Sequence, residues 1–151
     1  MPIAEELFAL AQRVASETPG FQERLGPGRA RGNGATNRYL AALNAAVTER
    51  WPTQCQLQES VANDLGYSFD YFIPQERTAV EIALSLRNIV TEYEKDVFKA
   101  ILAKQHGKEI TKLVLIGKAG SVGRQSQPGP LAIREWVRQN CGIEVEVKEI
   151  V

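Results

Sequence analysis

Apolar positions recur at helical spacing at the start of the chain. Ile3, Leu7, Leu10, Ala11 and Val14 share one face, so the pattern predicts a helix over 3–17. A second stripe, Leu40, Leu43, Val47 and Trp51, follows Thr36 and Asn37, either of which can cap a helix, and Pro52 ends it. The period then shortens to that of strands over 54–61, 67–73 and 79–86. The breaks at Asn63-Asp64 and at Pro74-Gln75-Glu76-Arg77 are short enough to imply an antiparallel meander. Helical spacing returns from Thr91 to residue 105, with Tyr93, Val97, Phe98, Ile101 and Leu102 on one arc, Glu94 near its middle, and Thr91-Glu92-Tyr93-Glu94 as a capping box. Residues 112–117 form an almost wholly apolar run, as in a strand covered on both faces. A Gly/Ser/Gln/Pro loop over 118–130 leads to a helix over 130–140 with Gly142 as its C-cap, and 144–150 alternates like an edge strand.

This order predicts one α/β (α+β) domain over 1–151, a mixed sheet flanked by helices. An N-terminal helix and basic loop occupy 1–35, a core 36–117, and a helix–strand extension 118–151. The 151 residues are 44% hydrophobic and 24% charged, which excludes general disorder and fibrous repeats. No apolar run approaches the roughly 18 residues of a membrane span. Acids stand early, where a signal peptide would carry bases, so a cytoplasmic protein is expected. Two cysteines (Cys55 and Cys141) and a single histidine (His106) exclude a disulfide scaffold, a His-rich metal site and a Ser-His-Asp triad.

Candidate chemistry lies in SFDYFIPQERTAVEIALSL. Alternation puts Phe69, Tyr71 and Ile73 on one face and Asp70 on the other, with Ser68 and Phe72. In the next strand Val80, Ile82, Leu84 and Leu86 share a face, and Glu81 points away among the small Ala79, Ala83 and Ser85. A hairpin can bring Asp70 and Glu81 to the same side of adjacent strands. Two close carboxylates repel unless a cation lies between them, and all-oxygen ligands suit Mg²⁺. The same alternation is equally that of acids on a solvated sheet face.

An Asp-bearing strand, a hairpin, an apolar strand carrying Glu, then a helix and another strand resembles the PD-(D/E)xK nuclease superfamily. Its restriction-endonuclease-like αβββαβ core corresponds to residues 36–117. The resemblance implies a Mg²⁺-dependent DNA endonuclease, with Mn²⁺ as a possible substitute. Asp70 and Glu81 would be metal ligands, joined by the carbonyl of Ile82. The family's usual lysine, two residues after the Glu, is replaced by Ala83, so a positive charge must come from elsewhere. Lys95, with Lys99 as a further candidate, stands on the following helix as the replacement catalytic lysine.

Zero net charge, from 18 basic and 18 acidic residues, taken alone argues against a histone-like nucleic-acid binder. The charges are segregated, however. Asp64, Asp70, Glu76, Glu81, Glu92, Glu94 and Asp96 crowd the middle, whereas Arg24, Arg29, Arg31 and Arg38 lie in one acid-free stretch and Lys118 and Arg124 in another. Arginines on glycine-rich loops suit phosphate contact, so these six residues are the candidate DNA contacts. A homodimer through the first helix or the last strand would let two copies cut both strands, and a protein partner could supply specificity. The alternative is a catalytically impaired protein of the same fold that binds nucleic acid or another protein.

Overall fold

In the computed structural model, which describes residues 1–22, 33–84 and 89–151, helix α1 spans Ile3–Glu17 and α2 Asn33–Arg50. Strands β1 (Gln56–Ser60), β2 (Ser68–Ile73) and β3 (Thr78–Ala83) follow, then helix α3 (Ile89–Gln105) and strand β4 (Lys112–Lys118). A short helix α4 (Ser121–Gln125), helix α5 (Pro128–Cys141) and strand β5 (Glu144–Ile150) complete the chain. The five strands lie in sequence order in one mixed sheet. β1–β2 and β2–β3 are antiparallel; β3–β4 and β4–β5 are parallel, each connected by a helical crossover. Among the described residues, no helix is long and apolar enough to cross a membrane.

Helices cover both faces of the sheet. On one side α1 and α2 pack Leu7, Leu10, Leu43 and Val47 against Tyr71, Ile73, Val80, Val114 and Ile116. On the other, Tyr93, Val97 and Ala100 of α3 and Val137 of α5 meet Phe69, Phe72, Ala79, Leu113 and Leu115. β4 thus sends alternate side chains into two cores, which accounts for its continuous apolar run. β5 stays at the sheet edge, as its alternation predicts, and Gly142 caps α5 in the left-handed conformation with φ 65°.

Helix α1 has no side-chain cap of its own; its first residue follows Pro2. Glu76, in the 3₁₀ turn between β2 and β3, accepts the Ile3 N–H at 2.5 Å and the Ala4 N–H at 3.1 Å. A distant carboxylate thereby satisfies orphan donors and complements the helix dipole.

Several elements differ from the periodic reading. The loop over 118–130 contains α4, which fits tightly against β4 because Gly117 has no Cβ to collide with Ser121. α3 begins at Ile89, so Thr91 lies inside the helix and the predicted capping box does not form. The buried face of α3 runs through Tyr93, Asp96, Val97, Lys99, Ala100 and Ala103. Phe98 is exposed, as is Glu94. Counting large apolar residues turned the face toward Phe98, whereas small alanines and a buried ion pair in fact fill it.

Candidate metal centre and its lysine

The β2–β3 ladder pairs Ile73 with Thr78, Phe72 with Ala79 and Tyr71 with Val80. It ends one step before Asp70 and Glu81, the next residues in the same register. The backbone N–H of Ile82 instead donates to Asp70 Oδ2 at 2.7 Å. A side-chain oxygen thus takes over where strand pairing stops, and the strands part at the two acids. The strict alternation of β2 breaks at the same place. Phe69 joins Phe72 in the core under α3, with ring centroids 6.3 Å apart, instead of sharing a face with Tyr71 and Ile73.

Asp70 and Glu81 line an open polar cavity of about 410 Å³ together with Tyr67, Ile82, Glu92, Lys95, Asp96 and Lys99. Four carboxylates face two ammonium groups in this cavity. Asp70 is half-buried, and its Oδ1 lies 3.4 Å from Gln58 Nε2 on the neighbouring strand. Gln58 also accepts a hydrogen bond from Ser68 Oγ at 3.1 Å and holds a left-handed backbone, φ 50°. Such strain in a non-glycine residue costs about 1–3 kcal/mol and often accompanies functional sites. Sequence reasoning passed over Gln58, because nothing local to β1 signals a positive φ.

Glu81 is 5% exposed, and Lys99 Nζ lies 2.7 Å from its Oε1. Oε1 is wholly buried, and this ammonium is its charged partner. Lys99 also reaches Asp96 Oδ1 at 3.3 Å, one turn earlier on α3. Burial raises the pKa of Glu81, and the charges of Asp70 and Asp96 raise it further against the opposing pull of Lys99. Burial likewise raises Asp96, again opposed by Lys99. The Lys99 pKa is raised because the two carboxylates outweigh the cost of its own burial. The cluster therefore holds more acid than one lysine neutralises.

The lysine that meets Glu81 is Lys99, not Lys95. Lys95 is exposed at the cavity wall and pairs with Glu92 at 3.7 Å. The difference follows from the rotated face of α3, which buries position 99 and leaves 95 outside. The burial of Lys99 has no local signal, because its two acidic partners lie one on its own helix and one on β3.

The basic candidates fare unevenly. Arg24, Arg29 and Arg31 lie outside the described residues. Arg38 is exposed and donates to the Pro19 carbonyl at 3.4 Å. Lys118 donates to the Phe21 carbonyl at 3.1 Å and lies over the Phe21 ring, 4.6 Å from its centroid. It anchors the segment after α1, and burial lowers its pKa. Arg124 is exposed on α4. Because Ala83 pairs with Gly117, Lys118 and α4 follow β4 at the same end of the sheet as the acidic cavity.

The donor chemistry suits a hard divalent cation. Two carboxylates stand at adjacent strand positions in a cavity lined by four acids and two lysines. Among the described residues, no group of three or more His, Cys, Asp or Glu side chains is arranged to hold an ion. A cation here would draw its remaining ligands from backbone and water.

The chain matches no protein-family model, and neither curated proteins nor solved structures give a significant match.

Proposed function

We propose that the chain is a Mg²⁺-dependent DNA endonuclease of the PD-(D/E)xK type, with Mn²⁺ as an alternative ion. The observation that carries this reading is the buried Lys99 ammonium 2.7 Å from Glu81, at the point where β2 and β3 part beside Asp70. Lys99 supplies from the next helix the positive charge that Ala83 cannot. The order from α2 to β4, one helix, three strands, one helix and one strand, supports the same reading.

Asp70 and Glu81 would hold the ion, with an oxygen of the Ile82 backbone as a further ligand. A bound Mg²⁺ polarises a phosphoryl oxygen and makes a coordinated water more acidic. Lys99 keeps a proton at Nζ and presents a cation to the attacking water or the phosphate. Arg38 and Arg124, both exposed, would contact the DNA backbone, with Arg24, Arg29, Arg31 and Lys118 as further basic candidates. The reading places the enzyme in the cytoplasm. A protein partner or a second copy of the chain would add specificity or paired cutting.

The test is cleavage of supercoiled plasmid and of branched, nicked and single-stranded oligonucleotides with Mg²⁺ or Mn²⁺. Asp70→Ala, Glu81→Ala and Lys99→Ala should each slow cleavage about a hundredfold or more, as expected when one charge-stabilising group is removed. Lys95→Ala should stay close to wild type. Wild-type activity no greater than that of Asp70→Ala across these substrates would overturn the reading.

A second reading, a catalytically impaired protein of this fold that binds nucleic acid or a partner, is favoured by the contact of Lys99 with Glu81, which occupies the oxygen a metal needs. Salt-sensitive DNA binding without cleavage would select it.

A further inference from the structure

Asp96 has no part in the chemistry proposed above, yet it is 4% exposed beneath the cavity wall. Burying a carboxylate is costly, and an exposed position on α3 would avoid that cost. Its ion pair is with Lys99, at 3.3 Å, and the same ammonium lies 2.7 Å from Glu81. One lysine thus serves two carboxylates, and both acids have side chains less than a tenth exposed. Of the two, Glu81 lies nearer the ammonium.

We propose that Asp96 is a positioning residue, a second station that holds Lys99 when a divalent cation takes the Glu81 carboxylate. This inference rests on the metal-site reading above. Without the second station, Lys99 would leave Glu81 only by giving up its one remaining buried counter-charge, and it would compete with the ion. With Asp96 in place, the ammonium shifts from one partner to the other and stays paired and buried near the reacting phosphate. The i,i+3 spacing on α3 sets both residues on one side of the helix and keeps that shift short.

The experiment is isothermal titration of Mg²⁺ and Mn²⁺ into the full chain without DNA, in wild type, Asp96→Asn, Lys99→Met and the double variant. Asp96→Asn should weaken binding about three- to tenfold, as when the binding-competent fraction falls. Lys99→Met removes the competitor, so adding Asp96→Asn to it should change affinity by less than about twofold. The double variant loses both charges together, and circular dichroism with urea unfolding verifies that each variant is folded. If Asp96→Asn weakens binding equally with and without Lys99, Asp96 is itself an ion ligand and the station is overturned while the metal site stands. Unchanged affinity in folded Asp96→Asn overturns it as well. Failure of folded wild type to bind either ion overturns the metal-site reading and this inference with it.

Discussion

Burial and the charges of Asp70 and Asp96 raise the pKa of Glu81 against the pull of Lys99, so the fold penalises its charged form. The sign for stability follows. A carboxyl whose folded pKa is raised contributes stability below its ordinary value and loses it as pH rises through the folded value. Wild-type stability should therefore fall between the ordinary carboxylate range and mildly alkaline pH, and Glu81→Gln should flatten that fall. Urea unfolding at several pH values checks it; parallel curves for the two proteins would show that Glu81 is not the group responsible. At this scale the sequence was partly legible. Asp70 and Glu81 stand out as acids at alternating positions, because strand period is a local backbone property. Lys99 does not stand out, because its burial depends on partners 3 and 18 positions away in sequence, Asp96 and Glu81.

Among the elements, α1 depends most visibly on a distant residue. Glu76 caps its N-terminus from the β2–β3 turn, so Glu76→Ala should destabilise the protein by about 1–2 kcal/mol, the usual cost of a lost cap with its dipole interaction. Equilibrium urea unfolding measures this, with Glu5→Ala, elsewhere in the first turn, as a comparison that should lose much less. α3 teaches a related lesson about amphipathic faces. Tyr93, Val97, Ala100 and Ala103 pack inward, while the larger Phe98 is 63% exposed. Which side of a helix is buried depends on what the neighbouring sheet has room for, and close approach to β3 and β4 favours alanine over phenylalanine. The strands were easier to read, since their alternation or continuous apolar run reports directly on one covered face or two.

At the scale of the molecule, zero net charge conceals an arrangement in which an acidic cavity and the basic end of β4 lie at one end of the sheet. DNA binding through such bases releases counterions, so log Kobs should fall linearly with log salt concentration. Arg38→Ala and Arg124→Ala should each reduce that slope by about one if each contacts a phosphate. Fluorescence anisotropy in Ca²⁺, at several salt concentrations, measures it; unchanged slopes would remove these arginines from the DNA surface. The first helix does not supply a ready dimer face, since Leu7, Leu10 and Val14 are buried against the chain's own core. Among the described residues β5 keeps one unpaired edge and is the better place to seek self-association.

The sequence by itself determined the order of the elements other than α4, the mixed sheet and the placing of two carboxylates on neighbouring strands. Each follows from periodicity and turn chemistry, which act over a few residues. Only the tertiary structure decided that β2 and β3 part at Asp70, that α3 turns Lys99 rather than Lys95 toward Glu81, and that Asp96 shares that lysine. Those outcomes depend on packing between segments far apart in the chain, where burial and charge pairing are settled together.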